Sequence, residues 1–328
     1  MEVKTLRVIN IPQGSTAAII THLDKNNYDI NHIDKITVSL LGYPQSGWID
    51  LRSTQMKKIE FLYKLTTSKA AMKKVVLIPG ETYYFFLQDA AKKLNISTID
   101  LFEAYAKYAY KKDGNILADT YHLPMGMNED QLVKYLFSET KQRYKNLSKK
   151  IFGLYNQKNW YRYIIIASII QKESASKKEM PYISSVIHNR INKGMKLQMD
   201  GTLNYSKYSH TKVTPKMIKE DETTYNTYKY KGIPNDPVCA VELEAIKAAI
   251  FPAKTNYYYF VKAPDGKKHL FSETYKKHRT NIKRLRDAIK KRTKSSLRTK
   301  KAKPAKSVIK PKVLKVNKNV KNLKDLWK

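Results

Sequence analysis

A chain of 328 residues is long enough for a sizeable core and for two or three compact units. Its 63 Lys and Arg against 28 Asp and Glu leave a net charge of +35, a field that favours polyanions such as nucleic acid, anionic lipid headgroups or acidic wall polymers. The single cysteine, Cys239, excludes an internal disulfide and a cysteine-based metal site, and no run reaches the roughly 18 apolar residues of a membrane-spanning helix.

Met1 to Lys4 carry no signal-peptide core, so the chain is either cytosolic as written or has lost an anchor ahead of residue 1. From Val8 to Thr16 the sequence reads as a short strand and a Pro/Gly turn leading into an amphipathic helix from Ala17 to Leu23. Val75 to Thr82 repeats that pattern ahead of Tyr83 to Leu94, each time with a Ser or Thr placed to cap. Between the two echoes, Gly47 to Leu51 reads as a strand. Ser53 or Thr54 then starts a helix whose buried face holds Met56, Ile59 and Leu62 or Tyr63. A helix over 95–110 begins at Ser97 or Thr98 and is broken by Asp113 and Gly114. Residues 127–155 are mostly helical, with Asn128 as cap and Glu129 and Asp130 in the first turn.

Residues 161–205 carry the chemistry. Tyr161 to Ser174 forms a strongly apolar helix, and Glu173 lies three, four and seven residues beyond Ile170, Ile169 and Ile166. It therefore continues the apolar stripe. Lost hydration disfavours the charged form, so its pKa is expected to rise towards neutrality, as a general acid near pH 7 requires. A carboxylate paired with Lys172 or Lys177 is the bland alternative. Glu179 falls in a polar run before Pro181 and reads as a helix-start charge. Pro181 opens a second helix with Ile183, Val186, Ile187, Arg190 and Ile191 inward, and Gly194 ends it. The two helices make a hairpin with Glu173 near the bend. In the extended run from Met195 to Tyr205, Gln198, Asp200 and Thr202 alternate onto one face, as a groove-lining strand requires.

Ala167 to Ser174, His188 to Ile191 and Gly194 to Thr202 together resemble the signature block of the endolytic murein transglycosylases, the YceG-like family. Further matches follow in order: Tyr225 to Tyr228, Gly232 to Pro234, Pro252 to Thr255, Tyr257 to Val261, His269 to Ser272, and His278. Upstream, Gly114 to Tyr121 resembles the family's opening motif of the catalytic domain, and the two N-terminal echoes resemble its LysM-like part. Gly201 stands where the family usually has Pro, Asp236 where it has a second Gly, and Ala118 where Pro is common. The family's usual N-terminal membrane-spanning helix has no counterpart in this sequence.

The resemblance implies an α+β fold: a LysM-like β/α region for peptidoglycan over 1–110, a mixed α/β catalytic domain with a glycan groove over 111–286, and a basic tail over 287–328. From Lys290 onward the tail has 16 Lys or Arg against one Asp, so it is expected to be disordered. The implied reaction cleaves the β-1,4 bond between N-acetylmuramic acid and N-acetylglucosamine without water, leaving 1,6-anhydro ends. Glu173 serves as both acid and base, Asp200 is the fallback acid, and no metal or cofactor is needed. Gln198 and Asp200 are candidates for bonding the sugar or orienting Glu173, or else plain strand-edge residues, and Thr202 shares their face. Tyr225 and Tyr228 suit stacking on sugars or core packing, and Asn226 suits an N-acetyl contact. Asn189 supports the hairpin or the glutamate, and His188 and His278 are structural. The implied partners are peptidoglycan glycan strands and wall-synthesis enzymes such as penicillin-binding proteins, at the periplasmic face of the bacterial inner membrane if an anchor is missing. The basic tail either contacts anionic lipid or wall polymer or only solubilises. Two rivals are a wall-binding protein without catalysis and a nucleic-acid-binding protein. Against the latter, the charge is scattered and no nucleic-acid-binding motif is present, so no specific nucleic acid is expected.

Overall fold

The computed structural model describes residues 2–301. The chain begins with β1 (Glu2–Lys4), β2 (Val8–Ile11), α1 (Thr16–Lys25), α2 (Asp34–Leu41), β3 (Gly47–Asp50), β4 (Gln55–Lys57) and α3 (Lys58–Thr67). Ser15 caps α1 by accepting from Ala18 N–H at 3.2 Å. Strand β2 pairs antiparallel with β3, from Val8 opposite Asp50 to Ile11 opposite Gly47, so α1 and α2 are held between two paired strands. Next come β5 (Met72–Val76), α4 (Tyr83–Leu94), α5 (Thr98–Tyr108) and β6 (Thr120–Pro124), with β5 and β6 antiparallel from Met72 opposite Pro124 to Val76 opposite Thr120. The echo in the sequence is thus a repeat of a larger unit, strand–helix–helix–strand, and its second copy runs past residue 110.

The helix expected from Ser53 or Thr54 starts later. Residues 55–57 pair with β1, so Met56 is buried from a strand, and α3 turns Phe61, Leu62 and Leu65 inward. That change of phase leaves Ile59 56% and Tyr63 53% exposed. Thr82 does not cap α4. Its hydroxyl donates to Ser206 O at 3.0 Å, and the first-turn N–H of Tyr83 is taken instead by Asp113 Oδ2 at 3.0 Å.

The second half opens with α6 (Glu129–Phe152), capped by Asn128 and closed by Gly153 in the left-handed region at φ 74°. Then follow α7 (Gln157–Glu173), α8 (Met180–Asn192), α9 (Pro215–Glu220), α10 (Leu243–Ile250), β7 (Tyr259–Lys262), β8 (His269–Ser272) and α11 (Tyr275–Lys301). The α+β expectation holds: among the described residues the strands form only two-stranded antiparallel sheets beside the helices.

Three large apolar clusters organise the described residues, beside a small one at Tyr225, Val238 and Cys239. One joins Val3, Ile9, Leu23, Ile49 and Phe61 in the first unit. The next joins Val75, Phe86, Leu101, Tyr121 and Leu136, running through the expected division at 110. The third packs Trp160, Ile164, Ile169 and Ile170 of α7 against Ile183 and Ile187 of α8 and Ile246 of α10. Each such side chain contributes about 1.5–3 kcal/mol on burial, which makes α7 the fixed axis of this half. The basic tail expected to be disordered from residue 287 is helical to Lys301, since Ile282, Leu285 and Ile289 continue a helical spacing. Residues 302–328, the rest of that tail, lie outside the described residues.

Candidate active site

Helix α7 is capped by Asn156, whose side chain accepts from Asn159 N–H at 3.0 Å. Every residue from Ile164 to Ile170 is buried. The helix closes when the Ser174 hydroxyl and N–H both donate to Ile170 O, at 2.6 and 2.9 Å. Glu173 is its last helical residue and is half-buried, at the mouth of a cleft of about 370 Å³.

Gly201 N–H donates to Glu173 Oε1 at 2.7 Å. Burial pushes the carboxyl up from 4.5 to about 7, outweighing the Gly201 bond; the nearby Asp200 charge adds to the rise and Arg190 opposes it. The negative end of the α7 dipole acts in the same upward direction. Glu173 is thus poised between acid and conjugate base near neutral pH, as its place on the apolar stripe predicts.

The floor belongs to α8. Arg190 is buried, and its guanidinium donates to Tyr258 O at 2.6 Å and to Leu197 O while lying 5.4 Å from the centre of the Tyr259 ring. Glu179 stands at the start of α8, as the sequence predicts. It is buried, with Oε1 accepting from His269 N–H at 2.6 Å and Oε2 3.0 Å from His269 Nδ1, because β8 folds back over the start of α8.

The segment after Gly194 is not a groove-lining strand. Gln198 sits at φ 49°, and residues Asp200–Leu203 form a 3-10 turn, so the alternation breaks. Gln198 and Asp200 face the cleft. Thr202 is fully buried, its hydroxyl donating to Met199 O at 2.7 Å beside Thr227 Oγ1 at 3.0 Å. Tyr228 also lines the cleft, and its hydroxyl donates to Asp200 Oδ1 at 2.6 Å.

Tyr225 and Asn226 are inside rather than at the cleft. Tyr225 is stacked on Tyr205 with centroids 4.0 Å apart. Asn226 is fully buried, its amide donating to Ile218 O and Asp221 O, both at 2.8 Å, while its oxygen accepts from Tyr228 N–H at 3.1 Å. Both therefore act on the cleft through the loop that carries Tyr228. Asn189 donates to Thr255 O at 2.8 Å and Tyr257 O at 2.9 Å, tying α8 to the segment entering β7. His188 lies 3.1 Å from Ala249 O.

The structure adds a wall that the sequence did not assign to the site: Tyr259, Phe260 and Val261 of β7, and Tyr275, His278 and Ile282 of α11. His278 stacks on Tyr259 at 5.2 Å, and its buried Nδ1 has no hydrogen-bond partner among the described residues. Burial and then Arg190 hold its pKa below the ordinary value, so the ring is neutral at pH 7. The spacing of 275, 278 and 282 along one helical face was the signal available. Asp113, read only as part of a helix break, is buried with its carboxyl raised to about 7, mainly by desolvation. Cys239 is buried, as a core thiol should be. Larger hollows exist elsewhere, one of about 680 Å³ between α6, α8 and α10. The cleft at Glu173 is distinguished by its chemistry rather than its size. Among the described residues no group of three or more His, Cys, Asp or Glu could hold a metal ion, and no helix is long and apolar enough to cross a membrane.

The chain is 27% identical over 310 residues to a Bacillus subtilis protein named endolytic murein transglycosylase, covering 84% of this chain and 83% of that one. A Streptococcus pneumoniae protein of the same name is 26% identical over 180 residues, covering 53% of this chain and 32% of its own length. The crystal structure of a yceG-like protein from Listeria monocytogenes shares the fold, with a TM-score of 0.55 at 22% identity over 85% of this chain and 98% of that one. The profile of the YceG-like family matches residues 9–284, and the chain belongs to that family.

Proposed function

We propose that this chain is an endolytic lytic transglycosylase of peptidoglycan, with Glu173 as its single acid and base. The observation that carries the reading is the Glu173 carboxyl at the cleft, held through one oxygen by Gly201 N–H at 2.7 Å and lifted to about 7. Protonated Glu173 gives its proton to the oxygen of the β-1,4 bond between N-acetylmuramic acid and N-acetylglucosamine. As that C1–O bond breaks, the muramoyl C6 hydroxyl closes onto C1, and the Glu173 carboxylate takes the hydroxyl proton. The products are a free 4-hydroxyl and a 1,6-anhydro end. The proton returns to the enzyme and no water is consumed. Ordinary glycosidases need a second carboxylate as nucleophile or base; here the substrate's own hydroxyl fills that role.

Asp200, fixed by Tyr228 at 2.6 Å, supplies negative charge that keeps Glu173 protonated and favours the positive charge developing at C1. Gln198 and Tyr228 line the path of the sugar. Thr202, Tyr225, Asn226 and Asn189 hold the loops that carry these groups. The cleft is read as the glycan groove, and the two strand–helix–helix–strand units as the LysM-like part that holds the same polymer. In this reading the protein acts on the wall outside the cell membrane, beside wall-synthesis enzymes such as penicillin-binding proteins.

Glu173→Gln should keep the fold and abolish release of anhydro-muropeptides from purified sacculi, as read by mass spectrometry, while Asp200→Asn retains release. Undiminished release by Glu173→Gln would remove the assignment, and binding of sacculi by the unaltered chain without turnover would mark a wall-binding protein instead.

A further inference from the structure

Helix α11 contributes one stripe to the cleft and carries a second stripe beside it. Tyr275, His278 and Ile282 face the cleft. Arg279, Lys283, Arg286 and Lys290 follow at spacings of four, three and four, so they share the adjoining face. All four are exposed, and none belongs to an ion pair among the described residues. Asp287 alone interrupts the positive face. The helix is fixed against the sheet below it by Asn281, whose buried amide donates to Ser272 Oγ at 3.0 Å, so the stripe has a set orientation at the rim. It runs about 16 Å, from the helical rise of 1.5 Å per residue, enough to pass several sugars. Away from α11 the same cleft is lined by Asp200.

The two walls therefore differ in sign. A glycan strand of peptidoglycan is itself uneven in charge: its sugars are neutral, and its carboxylates lie on the peptides borne by the muramic acid lactyl groups. We infer that Arg279, Lys283, Arg286 and Lys290 form a recognition wall for those stem-peptide carboxylates, which selects peptide-bearing strands and sets which edge of the strand faces α11. This rests on the transglycosylase reading and specifies the substrate that the same cleft prefers. Such exposed contacts are individually weak and salt-screened, so the effect is one of selection and capture rather than chemistry, felt in KM and not in kcat.

The experiment uses soluble, uncrosslinked glycan strands, either with free stem carboxylates or with those carboxylates capped as glycinamides. The full chain is compared with the variant Arg279→Gln/Lys283→Gln/Arg286→Gln/Lys290→Gln at low ionic strength. Capping should raise KM for the unaltered chain about tenfold, with kcat within about twofold, from four contacts of exposed-pair strength. The variant should show the raised KM on uncapped strands and no further response to capping. Arg279→Lys/Arg286→Lys, which keeps the charge, should behave as the unaltered chain. A chain indifferent to capping, or a variant that still discriminates, overturns the inference. So does a variant that loses only its sedimentation with phosphatidylglycerol vesicles, which would assign the stripe to a lipid surface. Binding of the two strands by Glu173→Gln reads the same discrimination without turnover. Discrimination there, with no anhydro ends from the unaltered chain, sinks the reaction and leaves the recognition wall standing. Turnover without discrimination does the reverse.

Discussion

Gly201 marks the tightest approach between the cleft loop and the end of α7. A Cβ at this position would lie 2.6 Å from Lys172 Cβ and 2.8 Å from Glu173 Oε1. The first neighbour is attached directly to the helix backbone and cannot swing aside. Gly201→Ala therefore pushes the 3-10 turn away from α7 and breaks the 2.7 Å bond from Gly201 N–H to Glu173 Oε1. A hydrogen bond to a charged group contributes about 1.5–3 kcal/mol, and one pKa unit corresponds to about 1.4 kcal/mol. Losing a bond that favours the carboxylate should thus raise the Glu173 pKa by about 1–2 units. A general acid works in its protonated form, so the alkaline limb of kcat/KM marks this pKa. In the unaltered chain that limb belongs near 7; in Gly201→Ala it should move to about 8–9, on a plateau lowered by the displaced acid. The assay is anhydro-end release from sacculi across the pH range, with thermal unfolding to confirm that the fold survives an overpacking cost of about 1–3 kcal/mol. An alkaline limb that stays near 7 or moves towards acid would refute the reasoning.

Asp200→Asn should move the same limb the other way, to lower pH, because it removes the charge that helps keep Glu173 protonated; the pH profile of anhydro-end release checks this. Glu173 also affects stability. Its folded pKa of about 7 exceeds the ordinary 4.5, so the fold is undisturbed below the lower value and loses stability as pH rises through the interval. Glu173→Gln should therefore be more stable than the parent by up to about 3 kcal/mol near pH 8 and equal to it near pH 4, measured by urea unfolding at both pH values. Arg190→Met should lower stability by about 2–4 kcal/mol in the same measurement, since the carbonyls of Leu197 and Tyr258 lose their buried donor.

The legible part of the site is the part that depends on local periodicity. Glu173 follows the apolar stripe of a single helix, and its burial and raised pKa come from that stripe. The hairpin of α7 and α8 follows from Pro181, Gly194 and the spacing of Ile183 to Arg190. Period-two reasoning misled at 198–202, because Gln198 in the left-handed region at φ 49° and the turn that follows rotate Thr202 inward while leaving Asp200 at the cleft. Tyr225 and Asn226 carry side chains suited to sugars, yet the carbonyls of Ile218 and Asp221 engage the amide first, and nothing local in the sequence announces those partners. The second wall of the cleft comes from β7 and α11, and convergence over that sequence distance is a tertiary fact. The helical stretch over 287–301, at the end of α11, stayed hidden for a different reason. Its charge density concealed an apolar spacing of Ile282, Leu285 and Ile289 that supports a helix.

The second strand–helix–helix–strand unit bears on the chemistry as well as on the fold. Thr82, ahead of α4, donates to Ser206 O at 3.0 Å, and Glu81 Oε2 lies 2.8 Å from His210 Nε2. These contacts hold the far side of the loop whose near side carries Gly201. Asp113 accepts from Tyr83 N–H at 3.0 Å and from Gly114 N–H at 2.8 Å, and Gly114 is the residue whose Cβ would meet Ile164 of α7 and Pro237 at 2.9 Å. Helix α7, which positions Glu173, and loop 199–210, which bonds it, are thus both braced by residues 81–114. A division of the chain at residue 110 would separate β5 from β6 and leave the Asp113 carboxyl without the N–H of Tyr83. The brace and the acid are parts of one mechanical unit, so the distance between Gly201 and Glu173, and with it the proton affinity of the acid, is set partly by elements that never touch the cleft.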